Sequence, residues 1–349
     1  MVRASGRSNV YNAAARAKAR KASLIDTTRM RQLIQQGTDS IGASIGEMGY
    51  RTEMDLYASR MGGADAIEAA LFHNLDNDLA GVMRFCQGNL KSLVAIYVER
   101  FDYEKAKTVL RAINGGASDE IIEAQILPSE NPRNLPWLNI VRNTEGLPEA
   151  VEAMSGTPWG KTLSKLEGEA SLEDMENALD MQYFSDALKS VKGRDGGPRL
   201  LRYLRMEIDH RNVMNQFRAI RMGISTEKRQ SMVIPGGKID SGTMRQACQS
   251  ESDEDLIESL RRSGSFDDSG FEEAMSESEN MGSLDPYAEL LSHQRHSVLK
   301  RFSHLSPVSP FPIIYYIESK SLEVRNLRLL VRGKAVGLPD EVLEAHMDY

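Results

Sequence analysis

The sequence predicts an all-α protein, and three observations carry that reading. Aromatic residues are only 6% of the 349 residues, and helix-forming side chains dominate. Apolar residues recur at the helical period and nowhere in sustained alternation. One helical segment is also met three times, at residues 101–116 (FDYEKAKTVLRAINGG), 208–223 (IDHRNVMNQFRAIRMG) and 322–337 (LEVRNLRLLVRGKAVG).

These three segments align without a gap. Each opens on an apolar–acidic pair (Phe101-Asp102, Ile208-Asp209, Leu322-Glu323) and ends on Gly116, Gly223 or Gly337. Each also carries an arginine at the same place, Arg111, Arg218 and Arg332, with 107 residues between the first two and 114 between the last two. A period of that size is a small domain, not a solenoid unit. The expectation is three similar helical domains, 1–116, 117–223 and 224–349, in a pseudo-threefold arrangement.

Taken in order, the chain opens on a basic helix. Arg3, Arg7, Arg16, Lys18, Arg20, Lys21, Arg29 and Arg31 stand there against one acid, Asp26. A helical block follows at 66–79 and recurs at 172–188 and 285–299. Glycines stop the repeated long helices, and after the first two comes a short polar helix and an apolar-Pro step, Leu127-Pro128 and Ile234-Pro235. These prolines are again 107 residues apart. Residues 147–159 and 255–266 share an amphipathic helix, a Ser-Gly break and an aromatic. Loops at 193–198 and 303–312 precede the last long helices of the second and third copies.

The last repeated helix shows its faces most clearly. At a hundred degrees per residue, Val324, Leu327, Val331 and Ala335 share one side, and Arg325, Arg328 and Arg332 form a continuous polar stripe. So apolar a helix is mostly buried, at the centre of its domain. Recurrence of Arg111, Arg218 and Arg332 in all three copies favours a structural role, each guanidinium tying neighbouring helices. Arg325 and Arg328 are less constrained by that argument. With Arg16, Lys18 and Arg20 they are the candidates for partner contact.

Composition narrows the function. The net charge of −7 gives no general reason to expect a nucleic-acid partner. Acids crowd between 240 and 289, and residues 295–334 are basic again; such polarity suits different partners at different faces, or is ordinary solvated helix surface. Cys86 and Cys248 are too few for a disulfide framework, which points to a reducing compartment. The basic N-terminus lacks the apolar segment of a signal peptide, and the longest apolar run, 311–317, is far short of a bilayer span.

No catalytic motif emerges. Residues 156–162 (GTPWGKT) have three residues between glycines where a phosphate-binding loop needs four, and follow a helix where that loop follows a strand. They read as a helix-to-helix turn. Residues 234–238 (IPGGK) are too short a signal for nucleotide binding. His293 and His296 lack a third ligand at a supporting spacing and read as surface histidines. The expectation is a protein with no active site, no cofactor, no metal and no small-molecule substrate.

The run 321–339, SLEVRNLRLLVRGKAVGLP, resembles the ending of the C subunit of the archaeal/vacuolar-type rotary ATP synthases, a family related to the eukaryotic vacuolar ATPase d subunit. The match runs through Glu323, Arg325, Asn326, Arg328, Arg332-Gly333-Lys334 and Gly337-Leu338-Pro339. Tyr11 and the Ala-Arg-Ala-Lys helix after it are similar to the family's opening, with Lys18 in place of a second arginine. Length, three-copy organisation and helix content agree over essentially the whole chain, and the serine-rich acidic stretch 250–283 is the least typical part.

The resemblance implies a funnel-like body of three helical domains. Such a body is a non-catalytic central-stalk subunit, present once in a hetero-oligomer and peripheral to the cytoplasmic face of the cell membrane. It would link central-axle subunits of the D/F type to the membrane rotor-ring proteolipid, passing torque between ion flow and ATP synthesis or hydrolysis. The alternatives are a helical adaptor binding nucleic acid or acidic membrane headgroups through Arg16, Lys18, Arg20 and Lys21, or an enzyme with an unrecognised site. Only Tyr11 lies near those charges for base stacking, so single-strand binding is poorly served.

Overall fold

The computed structural model describes residues 7–144, 146–166, 170–194 and 196–348. Arg3 of the basic opening and Asp195 of the 193–198 loop lie outside them. Among the described residues the regular structure is helical throughout, with no strand. Seven helices are long: α1 (Val10–Ala22), α2 (Gly63–Phe85), α3 (Gly88–Asn114), α4 (Leu172–Val191), α5 (Gly197–Arg221), α6 (Asp285–Leu305) and α7 (Phe311–Ala335). The recurring block at 66–79, 172–188 and 285–299 therefore falls within α2, α4 and α6. The repeated arginine segments form the second halves of α3, α5 and α7 and the turns after them.

Those helices end alike, and the repeat explains why. Gly116, Gly223 and Gly337 take φ of 68°, 63° and 77°, the left-handed conformation that costs glycine nothing. Past each glycine the next N–H turns back to the final turn: Ala117 donates to the Ala112 carbonyl (3.1 Å), Ile224 to Ala219 (3.0 Å) and Leu338 to Gly333 (2.8 Å). This is one Schellman stop made three times. A short helix follows each, at Asp119–Ile121, Thr226–Ser231 and Asp340–Ala345. Ser118 and Ser225 cap the first two through their side chains.

The chain divides into two compact units, Met1–Ser164 with Ser306–Tyr349, and Lys165–Leu305. Their limits differ from those of the sequence copies, because α7 belongs with α1, α2 and α3.

In the first unit α7 packs along α2 and α1. Helix α2 presents Ile67, Ala70, Leu71, Leu75, Leu79 and Val82 on one buried side at helical spacing. Helix α7 buries Ile313, Ile314, Ile317, Val324, Leu327, Leu330 and Val331, so the expected burial of this helix is observed. Ala335, expected on the buried side, is exposed; it lies in the final turn, past the reach of the packing helices. Residues 156–162 form the helix-to-helix turn expected of them, with the Thr157 hydroxyl donating to the Met154 carbonyl (2.6 Å) and accepting from Gly160 N–H (3.1 Å).

The second unit is built around α5, flanked by α4 and α6. Its core centres on Phe217, whose ring stacks on Tyr287 at 4.0 Å and 9° and lies near Phe271 at 6.2 Å. Helix Asp253–Arg262 closes it with Leu256, Ile257 and Leu260.

Candidate functional site

Helix α7 supplies both the centre of the first unit and a buried pair of charges. Read as a wheel, five of its charged residues sort into two sets. Arg325, Arg328 and Arg332 are exposed, which places the expected polar stripe on the outer side. Lys320 and Glu323 lie inside, 5% exposed each. Charges so deeply buried must be paired and hydrogen-bonded, or they neutralise.

Both are. The Glu323 carboxylate accepts from the Tyr50 hydroxyl (2.5 Å), the Lys320 ammonium (2.9 Å) and the backbone N–H of Ile25 (2.5 Å). Lys320 also donates to the Tyr50 oxygen (2.8 Å), lies 4.1 Å from the centre of its ring and approaches Asp78 at 3.9 Å. Asp78, on α2, accepts from the Tyr316 hydroxyl (2.7 Å) and the Arg20 guanidinium (3.0 Å). Two acids and two bases thus balance in one network joining α1, the segment after it, Tyr50, α2 and α7. Burial first, then the carboxylates of Glu323 and Asp78, push the Tyr50 phenol well above its ordinary range.

Along the outer edge of the α2–α7 seam, Arg332 pairs with Asp65 (2.7 Å) and donates from Nε to Glu68 (2.5 Å). Arg328 also pairs with Glu68 and lies 5.6 Å over the Phe72 ring. Because Glu68 is itself buried, these arginines neutralise a carboxylate on the neighbouring helix. Arg325 sits 4.0 Å from Asp348. Of the aligned arginines, then, Arg332 ties helices while half exposed; Arg111 and Arg218 are exposed.

The basic opening helix is divided in the same way. Helix α1 buries Ala13, Ala14 and Ala17 and exposes Tyr11, Arg16 and Lys18. Arg20 is drawn inward to Asp78, over the Phe85 ring at 5.4 Å. Gly81 makes room for it, since a methyl there would press on the guanidinium at 3.0 Å.

A different feature of the repeat, its acidic second residue, marks the buried anchors. In the second unit Asp209 accepts from the N–H groups of Lys238 (2.9 Å) and Ile239 (3.2 Å). A side chain at Gly237 would collide with this carboxylate, so the Gly-Gly loop seats a carboxylate of its own chain. Burial raises the Asp209 pKa to about 6 against those hydrogen bonds, and lowers that of neighbouring His210 to about 3. Glu323 is the aligned residue in α7. Asp102 in α3 is half-buried, 3.9 Å from Arg133, and burial raises it too.

Cys86 is buried, its thiol pushed up to about 12 by desolvation, opposite to what a nucleophilic cysteine needs. His73 bonds Tyr57 at 3.0 Å, and burial lowers its pKa. Arg229, also buried, gives its donors to Gln216 (2.9 Å) and to the Ser250 (2.7 Å) and Ala247 (3.0 Å) carbonyls. Among the described residues no group of three His, Cys, Asp or Glu is placed to hold a metal ion, and no helix is long and apolar enough to cross a membrane. What the arrangement does is fix long helices in register and leave cationic and apolar surface outside.

Comparison with known proteins matches residues 13–346 to the family described as ATP synthase (C/AC39) subunit. A protein of Haloquadratum walsbyi is 30% identical over 344 residues, covering 97% of both chains. One of Methanococcoides burtonii is 29% identical over 339 residues, 96% of this chain and 93% of its own. One of Haloferax volcanii is 29% identical over 346 residues, 98% of each. All three are named as the C subunit of an A-type ATP synthase.

Proposed function

The chain belongs to the ATP synthase (C/AC39) subunit family, and from that premise we propose that it is the non-catalytic central-stalk subunit of an A-type rotary ATP synthase. In this reading it forms a socket between the central axle and the membrane rotor ring, passing torque between ion flow and ATP synthesis or hydrolysis. The carrying observation is the end-to-end match of residues 13–346, echoed by relatives alike over nearly their full lengths. A fragmentary match would support a shared fold; one this continuous supports a shared place in a complex.

The physical character of the chain supports the same role. A torque coupler needs rigid elements and broad complementary surfaces in place of a pocket. Long helices held by buried ion pairs are such elements. The three sequence copies give the proposed funnel its approximate threefold form. The partners are axle subunits of the D/F type and the ring proteolipid, in a hetero-oligomer peripheral to the cytoplasmic side of the membrane. Arg16 and Lys18 are the foremost partner contacts, ahead of Arg20, Arg325 and Arg328, which already meet carboxylates of their own chain.

A tagged pull-down from gently solubilised membranes, read by mass spectrometry, tests the proposal. Recovery of axle, ATPase-head and proteolipid subunits together is the expected result. Recovery of the protein alone, or with nucleic acid, overturns it.

A further inference from the structure

Helix α1 is held differently from the other long helices of its unit. Its buried apolar side chains are Ala13, Ala14 and Ala17 alone, where α7 buries Phe311, Ile313, Ile314, Ile317 and Leu327 among others. Alanine removes far less apolar surface from water than isoleucine or leucine, so hydrophobic burial holds α1 weakly per turn. Polar pins do the rest, and they are exposed or only partly buried. At its amino end Asn9 donates to the Phe85 carbonyl (2.7 Å) and accepts from Gln87 N–H (3.0 Å), and the Ser8 hydroxyl accepts from Leu90 N–H (3.2 Å). Toward the other end Arg20 meets Asp78, with its side chain 39% exposed. Lys21 lies 5.0 Å over the Tyr315 ring.

The pin beyond α1 is of another kind. Ile25 N–H donates to Glu323, a carboxylate buried among Lys320 and Tyr50, and withdrawing that donor uncovers part of a buried charge. Between the two kinds of pin lies the Ser23–Ile25 turn.

We propose that α1 is a hinged flap, opening as one unit about residues 23–25 while Glu323 keeps the hinge anchored and α2, α3 and α7 stay packed. Opening exposes the Asp78 carboxylate and the Phe85 and Tyr315 rings, which α1 covers when closed. The device depends only on contacts within the first unit and is independent of the socket reading. Elements of low local stability are where proteins place their moving parts.

Hydrogen exchange on the purified full-length chain tests this. Amides of residues 10–22 are expected to exchange at least tenfold faster than those of 311–335. Arg20→Gln and Asn9→Ala should each speed exchange in 10–22 severalfold further and leave 311–335 unchanged. Equal protection of the two helices in the parent protein overturns the proposal. So does a variant in which both helices speed up together, since α1 would then open only with the whole unit.

Discussion

Tyr50 gives its phenolic hydrogen to Glu323 at 2.5 Å across 273 residues of sequence, inside a network that also holds Lys320 and Asp78. Neither the acid nor the lysine is tolerable there alone. Removing one member of a buried pair leaves the other as an uncompensated charge, at a loss of roughly 3–5 kcal/mol. Glu323→Ala is therefore expected to destabilise the first unit by that order, and Tyr50→Phe by about 1–2 kcal/mol for the lost hydrogen bond. Denaturant unfolding of the variants checks the ranking; equal losses would break the argument.

Arg332→Ala should lower stability by about 1 kcal/mol, the scale of a half-exposed ion pair. Arg328 remains on Glu68 in that variant, so removing both arginines strands a buried carboxylate and should remove about 3 kcal/mol. The thermal midpoints give the answer. An Arg332→Ala protein that melts like its parent yet fails to join the complex would move this arginine from structure to partner contact.

Asp209 predicts a pH dependence with a definite sign. Its carboxyl is raised from 3.8 to about 6 by burial, so the folded state binds a proton more readily than the unfolded. The stability linked to that proton, of order 3 kcal/mol, is fully present below about pH 4 and lost as pH rises through about 6. His210, lowered from 6.5 to about 3, acts oppositely, losing stability as pH falls below 6.5. Subtracting the Asp209→Asn unfolding curve from that of the parent isolates the aspartate. The parent should gain relative to the variant from pH 7 down to pH 4; parallel curves would refute the reading.

Gly223 and Gly337 hold left-handed φ with open space where a Cβ would stand. Alanine at either place should cost about 1–2 kcal/mol through backbone strain alone. Alanine at Gly115, one residue before the aligned glycine and at φ −76°, lacks that strain. A loss at Gly115 as large as at Gly223 would show that something other than conformation is at stake.

Helices and their stops were legible because they are local: apolar spacing and a glycine. So was the outer stripe of α7, which Arg325, Arg328 and Arg332 mark by period. The buried network was not. Nothing local marks Glu323 and Lys320 as buried, since what covers them is Tyr50, Asp78 and Ile25, more than 200 positions away. Arg20 likewise reads as a partner contact for want of Asp78. One signal did exist, for the aligned acids Asp102, Asp209 and Glu323 share a place that a merely solvated carboxylate has no reason to keep. The Gly-Gly step at 236–237 was a second, because close packing against Asp209 is what such a pair permits.

The first unit is made of chain from before and after the second in sequence, with α7 as its central helix. This imposes an order on biosynthesis. Residues 165–305 are contiguous and leave the ribosome as one complete unit, whereas the surfaces of α1 and α2 that face α7 wait uncovered until residue 335 is made. A chain stopped before residue 306 lacks α7, the helix against which α1 and α2 pack. The first unit is therefore completed only by residues 306–349, which are made after the whole of the second.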